Sequence, residues 1–197
     1  MSGPSVIDEL SALPLGEVLE RVAAPTPAPG GGSAAALVCA MAAALVEMAA
    51  GFSDAPDAAD RRGRAAQLRS RGLELAQRDQ LSYEPVLRAL RRPADDVDRP
   101  GQLAAALAAA AGVPLAIAQL AAEIAGRARE AVEGAGRHVL GDCATAAVLA
   151  EAGCRAAALL VEINLHGTMD PRRAEAEQLA GAAIVDSQHV VAKAHES

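Results

Sequence analysis

Apolar residues in this chain run in long stretches broken by proline and glycine, with almost no strand-like alternation. Ser5 is placed to cap a first helix, with Val6, Ile7, Leu10, Leu13, Val18 and Leu19 on its apolar side. Pro14 and Gly16 should bend or break it, and it should end near Val22. The segment from Ala24 to Ser33 holds three prolines and three glycines and reads as a loop. It delivers the chain into an apolar helix from Ala34 to about Ser53, with Ser33 as cap or first-turn residue. Asp57 is placed to cap a third, more charged helix reaching about Leu90, interrupted or kinked at Pro85. A turn-rich connector spans Arg91 to Gly101. Gln102 to Val132 reads as helix, with Pro114 marking a kink or a first turn after a break. Gly134 and Gly136 mark a stop. Gly141 to His166 is a long apolar helix, and Pro171 opens a last one to about Lys193.

The pattern therefore predicts five or six helices, no strand, and a single helical domain over residues 1–197. Composition agrees. About a quarter of the residues are alanine, the best helix former. Hydrophobic residues make up 52% and aromatic residues 1%. That much apolar surface argues against disorder. Several helices are apolar on more than one face, which one small domain cannot bury alone. A bundle that dimerises through its Ala-rich faces resolves this, since small side chains let helix axes approach closely.

The net charge is −7 and the pI about 5.1, which, with so few aromatic rings, excludes a free-standing nucleic-acid binder. The most apolar run, Ala34 to Phe52, is dominated by alanine and interrupted by Glu47, so it reads as a buried helix and no membrane partner is expected. Met1 to Leu10 carries Asp8 and Glu9 and no basic region of a secretory signal. Cys39, Cys143 and Cys154 show no metal or disulfide spacing and read as small buried hydrophobes in a reducing cytoplasm. His138, His166, His189 and His195 likewise show no metal spacing.

Three segments are more specific. Pro29-Gly30-Gly31-Gly32-Ser33 opens an Ala-rich helix, where bare backbone amides and the helix dipole favour an anionic or carbonyl group. It lacks the Gly-Lys-Ser/Thr of a phosphate loop. Asp142 opens the long helix after Gly141 and reads either as its cap or as a carboxylate facing a pocket. Asn164 follows 22 residues later on nearly the same face. Glu47 shares a face with Ser33 and points either to a pocket or to a dimer rim. Asp79 reads as a surface partner for Arg78 or Arg71, or as a second functional carboxylate. Arg61, Arg62 and Arg64 read as a solvated face.

In order and spacing, Pro29 to Ala36, Asp79…Tyr83, Val113-Pro114-Leu115, Asp142, Ala156-Ala157 and Ile163-Asn164-Leu165 resemble the cyclodeaminase/cyclohydrolase family. That family includes the C-terminal domain of formiminotransferase-cyclodeaminase and stand-alone methenyltetrahydrofolate cyclohydrolases. The resemblance implies an all-helical homodimer acting on one-carbon adducts of tetrahydrofolate, with no metal or other cofactor. It implies Asp142 as first catalytic candidate and Asp79 as second. Gly30, Gly31, Gly32, Ser33, Asn164 and Glu47 would bind the folate. Where members often carry a Gly-Lys pair after the first long helix, this chain has Ala55-Pro56, and its one lysine is Lys193. A non-catalytic folate binder and a purely structural helical dimer of the same fold are the alternative readings.

Overall fold

A computed structural model describes residues 10–196. Ser5, Val6, Ile7 and the acidic pair Asp8-Glu9 lie outside the described residues. A 3-10 turn, Leu10–Ala12, leads into α1, Leu15–Ala23, with Pro14 as its cap. There follow α2, Gly31–Gly51; α3, Ala58–Ser82; α4, Glu84–Leu90; α5, Arg99–Ala110; α6, Gly112–Val132; α7, Leu140–Asn164; and α8, Arg172–His195. Among the described residues there is no strand.

Among the described residues each of the six expected segments contains α-helix. The eight observed helices arise because two segments are divided near their prolines. The expected third helix breaks at Tyr83, just before Pro85, and the fourth breaks at Ala111, just before Pro114. Proline lacks the amide that would bond one turn back, so each break falls in the residues preceding it. Asp57 occupies the cap position of α3 but makes no capping bond; its carboxylate pairs with Arg61 at 2.8 Å instead.

Helix α2 is central, packing on α3, α6 and α7. Its contacts are very close because small residues meet small residues. A Cβ on Gly72 of α3 would lie 3.0 Å from Ala40 Cβ and 3.1 Å from the Ala36 carbonyl oxygen. A Cβ on Gly153 of α7 would lie 2.5 Å from Cys39 Sγ. The core is therefore many buried alanines around a few larger side chains, chiefly Leu75, Ile117, Ile124 and Leu165. Truncating one of these isoleucines to alanine should cost about 2–5 kcal/mol, because such closely set helices cannot collapse into the space. All three cysteines are fully buried, and burial pushes the Cys39 and Cys154 thiols up to about 12 and about 11.

Helices α2 and α7 run antiparallel. Gly32 and Asn164 border one pocket, while Phe52 stacks edge-on to His138, with ring centroids 5.4 Å apart, at the opposite end. Their outer sides stay bare. Met41, Met48 and Phe52 of α2 and Val148, Leu159 and Ile163 of α7 are 38–59% exposed. By length and hydropathy alone α2, the α5–α6 pair and α7 are each apolar enough to cross a membrane, and half or less of each span is buried inside this chain. Their hydropathy comes largely from alanine, and both α2 and α7 leave large apolar side chains uncovered by this chain.

Candidate active site

The loop before α2, which includes a cis peptide at Ala28–Pro29, places Gly30 as helix cap and Gly31, Gly32 and Ser33 in the first turn. First-turn amides have no partner within their own helix, so they must find one elsewhere. Ser33 finds it on α3. The buried face of that helix follows Leu68, Gly72, Leu75 and Ala76, and the same row continues to Asp79. There the Asp79 carboxyl lies directly against Gly32, where a Cβ would come within 2.7 Å of Oδ2. It accepts a hydrogen bond from the Ser33 backbone amide. Ser33 Oγ lies 3.0 Å from Asp79 Oδ2 and 3.0 Å from the Ala76 carbonyl oxygen. Ser33 is fully buried. Burial pushes the Asp79 carboxyl above its ordinary range, and the bond from the Ser33 backbone amide offsets only part of that.

This junction opens into a cavity of about 310 Å³. Its walls are Pro27, Ala28 and Gly30–Gly32 from the loop and α2, then Asp79, Ser82 and Tyr83 from the end of α3. Ala110 and Pro114 contribute from the α5–α6 break, and Leu160, Ile163 and Asn164 from the end of α7. Asp79 is the one carboxyl group among these lining residues. A small, mostly apolar cavity with a few convergent polar groups and one perturbed acid is what a small-molecule site requires.

Of the residues singled out in the sequence, Gly30, Gly31, Gly32, Ser33, Asp79 and Asn164 meet here. Asp142 does not. Val139 is the cap of α7 and Asp142 sits one turn in, so it is not the helix cap. The face arithmetic that pairs it with Asn164 omits axial distance: 22 residues of helix separate the two by about 33 Å. Glu47 is also elsewhere. It lies about 21 Å along α2 from Ser33, pairs with Arg69 at 2.9 Å and borders a separate groove beside Met48 and Phe52. Arg61 and Arg64 belong to the opposite end of α3. Sequence reading missed Ser82 and Pro27. Ser82 was findable, since it follows Asp79 by one helical turn; its hydroxyl donates to the Asp79 carbonyl at 2.9 Å.

A larger open groove of about 890 Å³ lies between α7 and α8. Its central charges, Arg173 and Glu162, are already joined by two bonds of 2.6 Å. Among the described residues no cluster of three or more His, Cys, Asp or Glu is placed to hold a metal ion.

Fold and pocket together define the class: an all-helical domain that presents one carboxyl group to a small cavity beneath a glycine-opened helix. A family model described as Formiminotransferase-cyclodeaminase matches residues 14–180. The methenyltetrahydrofolate cyclohydrolase of Methylorubrum extorquens is 31% identical over 169 residues, covering 80% of this chain and 81% of that protein. The crystal structure of formiminotetrahydrofolate cyclodeaminase from Thermotoga maritima superposes with a TM-score of 0.77 at 26% identity, covering 95% of this chain and 96% of that one. The chain belongs to the formiminotransferase-cyclodeaminase family.

Proposed function

We propose that this chain is a folate one-carbon enzyme that works at the amidine carbon between N5 and N10 of tetrahydrofolate. In the hydrolytic direction water adds to the methenyl carbon, the bond to N5 breaks, and 10-formyl-tetrahydrofolate leaves with one net proton released. In the deaminative direction N10 attacks the 5-formimino carbon. The leaving nitrogen takes the N10 proton and one more and departs as ammonia, leaving the methenyl cation. Both routes pass through a tetrahedral carbon and need one group that gives and takes a proton.

The observation that carries this reading is Asp79: a partly buried carboxyl with a raised pKa on the wall of the cavity. Bare amides of the glycine turn suit a carbonyl or carboxylate of the folate. Asn164 faces the same cavity with both a donor and an acceptor, which suits a pterin edge.

The working unit of this reading is a homodimer joined through the bare face of α2 and α7. Ile163 belongs both to that face and to the cavity wall, so a partner there would also close the mouth. In a twofold pairing with α7 antiparallel to its copy, Asp142 of the partner subunit comes to the Asn164 end. That arrangement gives Asp142 a functional place that one chain denies it. Three free buried thiols suit a cytoplasmic setting.

The absorbance of 5,10-methenyl-tetrahydrofolate tests the reading. Its loss from added methenyl substrate is cyclohydrolase activity, and its appearance from 5-formimino-tetrahydrofolate is cyclodeaminase activity. Enzyme that changes neither rate is not an enzyme of this reaction. Folate-induced thermal stabilisation without turnover would instead favour a non-catalytic binder.

A further inference from the structure

We infer that Ser33 is a positioning residue whose hydroxyl, tied to the Ala76 carbonyl, fixes Asp79 as a proton donor in the resting protein. The inference rests on Asp79 being the proton-transfer group proposed above. Ser33 Oγ has two neighbours at 3.0 Å, the Ala76 carbonyl oxygen and Asp79 Oδ2. A hydroxyl carries one proton. The carbonyl can only accept, so that contact requires Ser33 to donate to it. The second contact is then a Ser33 lone pair facing Asp79. An ionised carboxylate would oppose that lone pair with its own. A protonated one completes a directed chain, Asp79 O–H to Ser33 Oγ, and Ser33 O–H to Ala76 carbonyl.

The surroundings reinforce the direction. The carboxyl sits in the space that a side chain at Gly32 would fill, which sets it directly against the first turn of α2. No charged group drives the perturbation of Asp79: burial raises it, and a hydroxyl donating to the ionised form would lower it. From α3 itself the titratable neighbour in the cavity is Tyr83, while α2, the α5–α6 break and α7 present glycines, Ala110, Pro114 and Asn164, none of which titrates. The proton is therefore held by hydrogen-bond direction in a partly buried site. It is available to a developing amine or hydroxyl, after which the carboxylate takes a proton back from water or N10.

The sign of one shift tests this. The carboxyl carbon of Asp79, assigned with Asp79→Asn, is titrated by NMR in the free wild-type protein and in Ser33→Ala. If Ser33 accepts from the protonated acid, removing it destabilises the protonated form. The midpoint should then fall by about one pH unit, the worth of one ordinary hydrogen bond. If Ser33 instead donates to the ionised form, the midpoint rises, and the inference is overturned; an unmoved midpoint overturns it equally. Ser33→Cys, a weak donor and acceptor, gives the same sign should alanine leave the turn unfolded. Ser33→Thr, which keeps the hydroxyl, should restore the wild-type midpoint. The measurement needs no substrate. A fall in midpoint without turnover on either folate would uphold the Ser33 assignment and sink the proposed function alone.

Discussion

Gly32 and Asp79 occupy adjoining space: a Cβ on the glycine would lie 2.5 Å from the aspartate Cγ. The glycine is thus required by its neighbour's carboxyl, not by its backbone angles. Gly32→Ala should push Asp79 off Ser33, costing about 1–3 kcal/mol of stability from overpacking. Activity should fall further than stability alone explains. Gly31→Ala, where a Cβ meets nothing within 4 Å, should be tolerated in folding. Thermal melts and turnover of the two variants check this pair; equal behaviour would remove the steric argument.

Asp79→Asn should separate function from stability. An amide can accept from the Ser33 amide and donate to Ser33 Oγ, much as the protonated acid does. Turnover should drop about 10²–10⁴-fold. The pH dependence of stability follows from the raised pKa of Asp79. The folded state favours the protonated form, so its contribution is fully present below the ordinary carboxylate pKa and is lost as pH rises through the folded value. Above the ordinary carboxylate pKa the wild type progressively loses that contribution, whereas the Asn variant has no such group to titrate. Asp79→Asn should therefore melt higher than wild type at neutral pH, and the gap should close in acid. Melting curves across pH decide it, and a variant less stable at neutral pH would contradict the assigned environment.

The bare face of α2 and α7 should bury itself against a second copy. Met41→Asp or Leu159→Asp places a charge on one of these bare side chains of α2 or α7, each more than half exposed in one chain. Ultracentrifugation at micromolar concentration should show the wild type near 40 kDa and the variants near 20 kDa, with helical circular dichroism retained. A wild-type monomer would remove the dimer.

How far the sequence leads is visible at three residues. The glycine turn was legible, because Pro29 to Ser33 has few other uses directly ahead of an apolar helix. Asp79 was legible only as a candidate, since its neighbours in sequence, Arg78 and Arg71, suggest a surface ion pair. What promotes it is α3 crossing the first turn of α2, a long-range contact that local spacing does not encode. Asp142 ranks above it in the sequence because it opens an apolar helix and falls on the aspartate of the family resemblance; the periodicity that sets it on the face of Asn164 reports angle and not distance along the axis. The breaks before Pro85 and Pro114 were expected from chemistry, but only the fold shows that both border the same cavity.

That leaves Asp142, about 33 Å from Asn164 along α7 and outside its own chain's cavity. Two readings give opposite results in a mixing experiment. If Asp142 only complements the α7 dipole from its first turn, Asp142→Asn should cost under about 1 kcal/mol and leave turnover unchanged. If it completes the partner's cavity, Asp142→Asn should lose turnover while staying folded and dimeric. The proposed antiparallel pairing then makes a further demand. Each site would use Asp79 of one subunit and Asp142 of the other. Asp79→Asn and Asp142→Asn subunits, each inactive alone, should regain activity when unfolded together and refolded. A mixed dimer holds one site with both acids and one with neither. Random pairing makes half the dimers mixed, so about a quarter of wild-type activity should return. Recovery at that level places Asp142 across the interface. An inactive mixture, with mixed dimers demonstrated by mass, would show that both acids serve the same chain's site or that Asp142 acts only through folding.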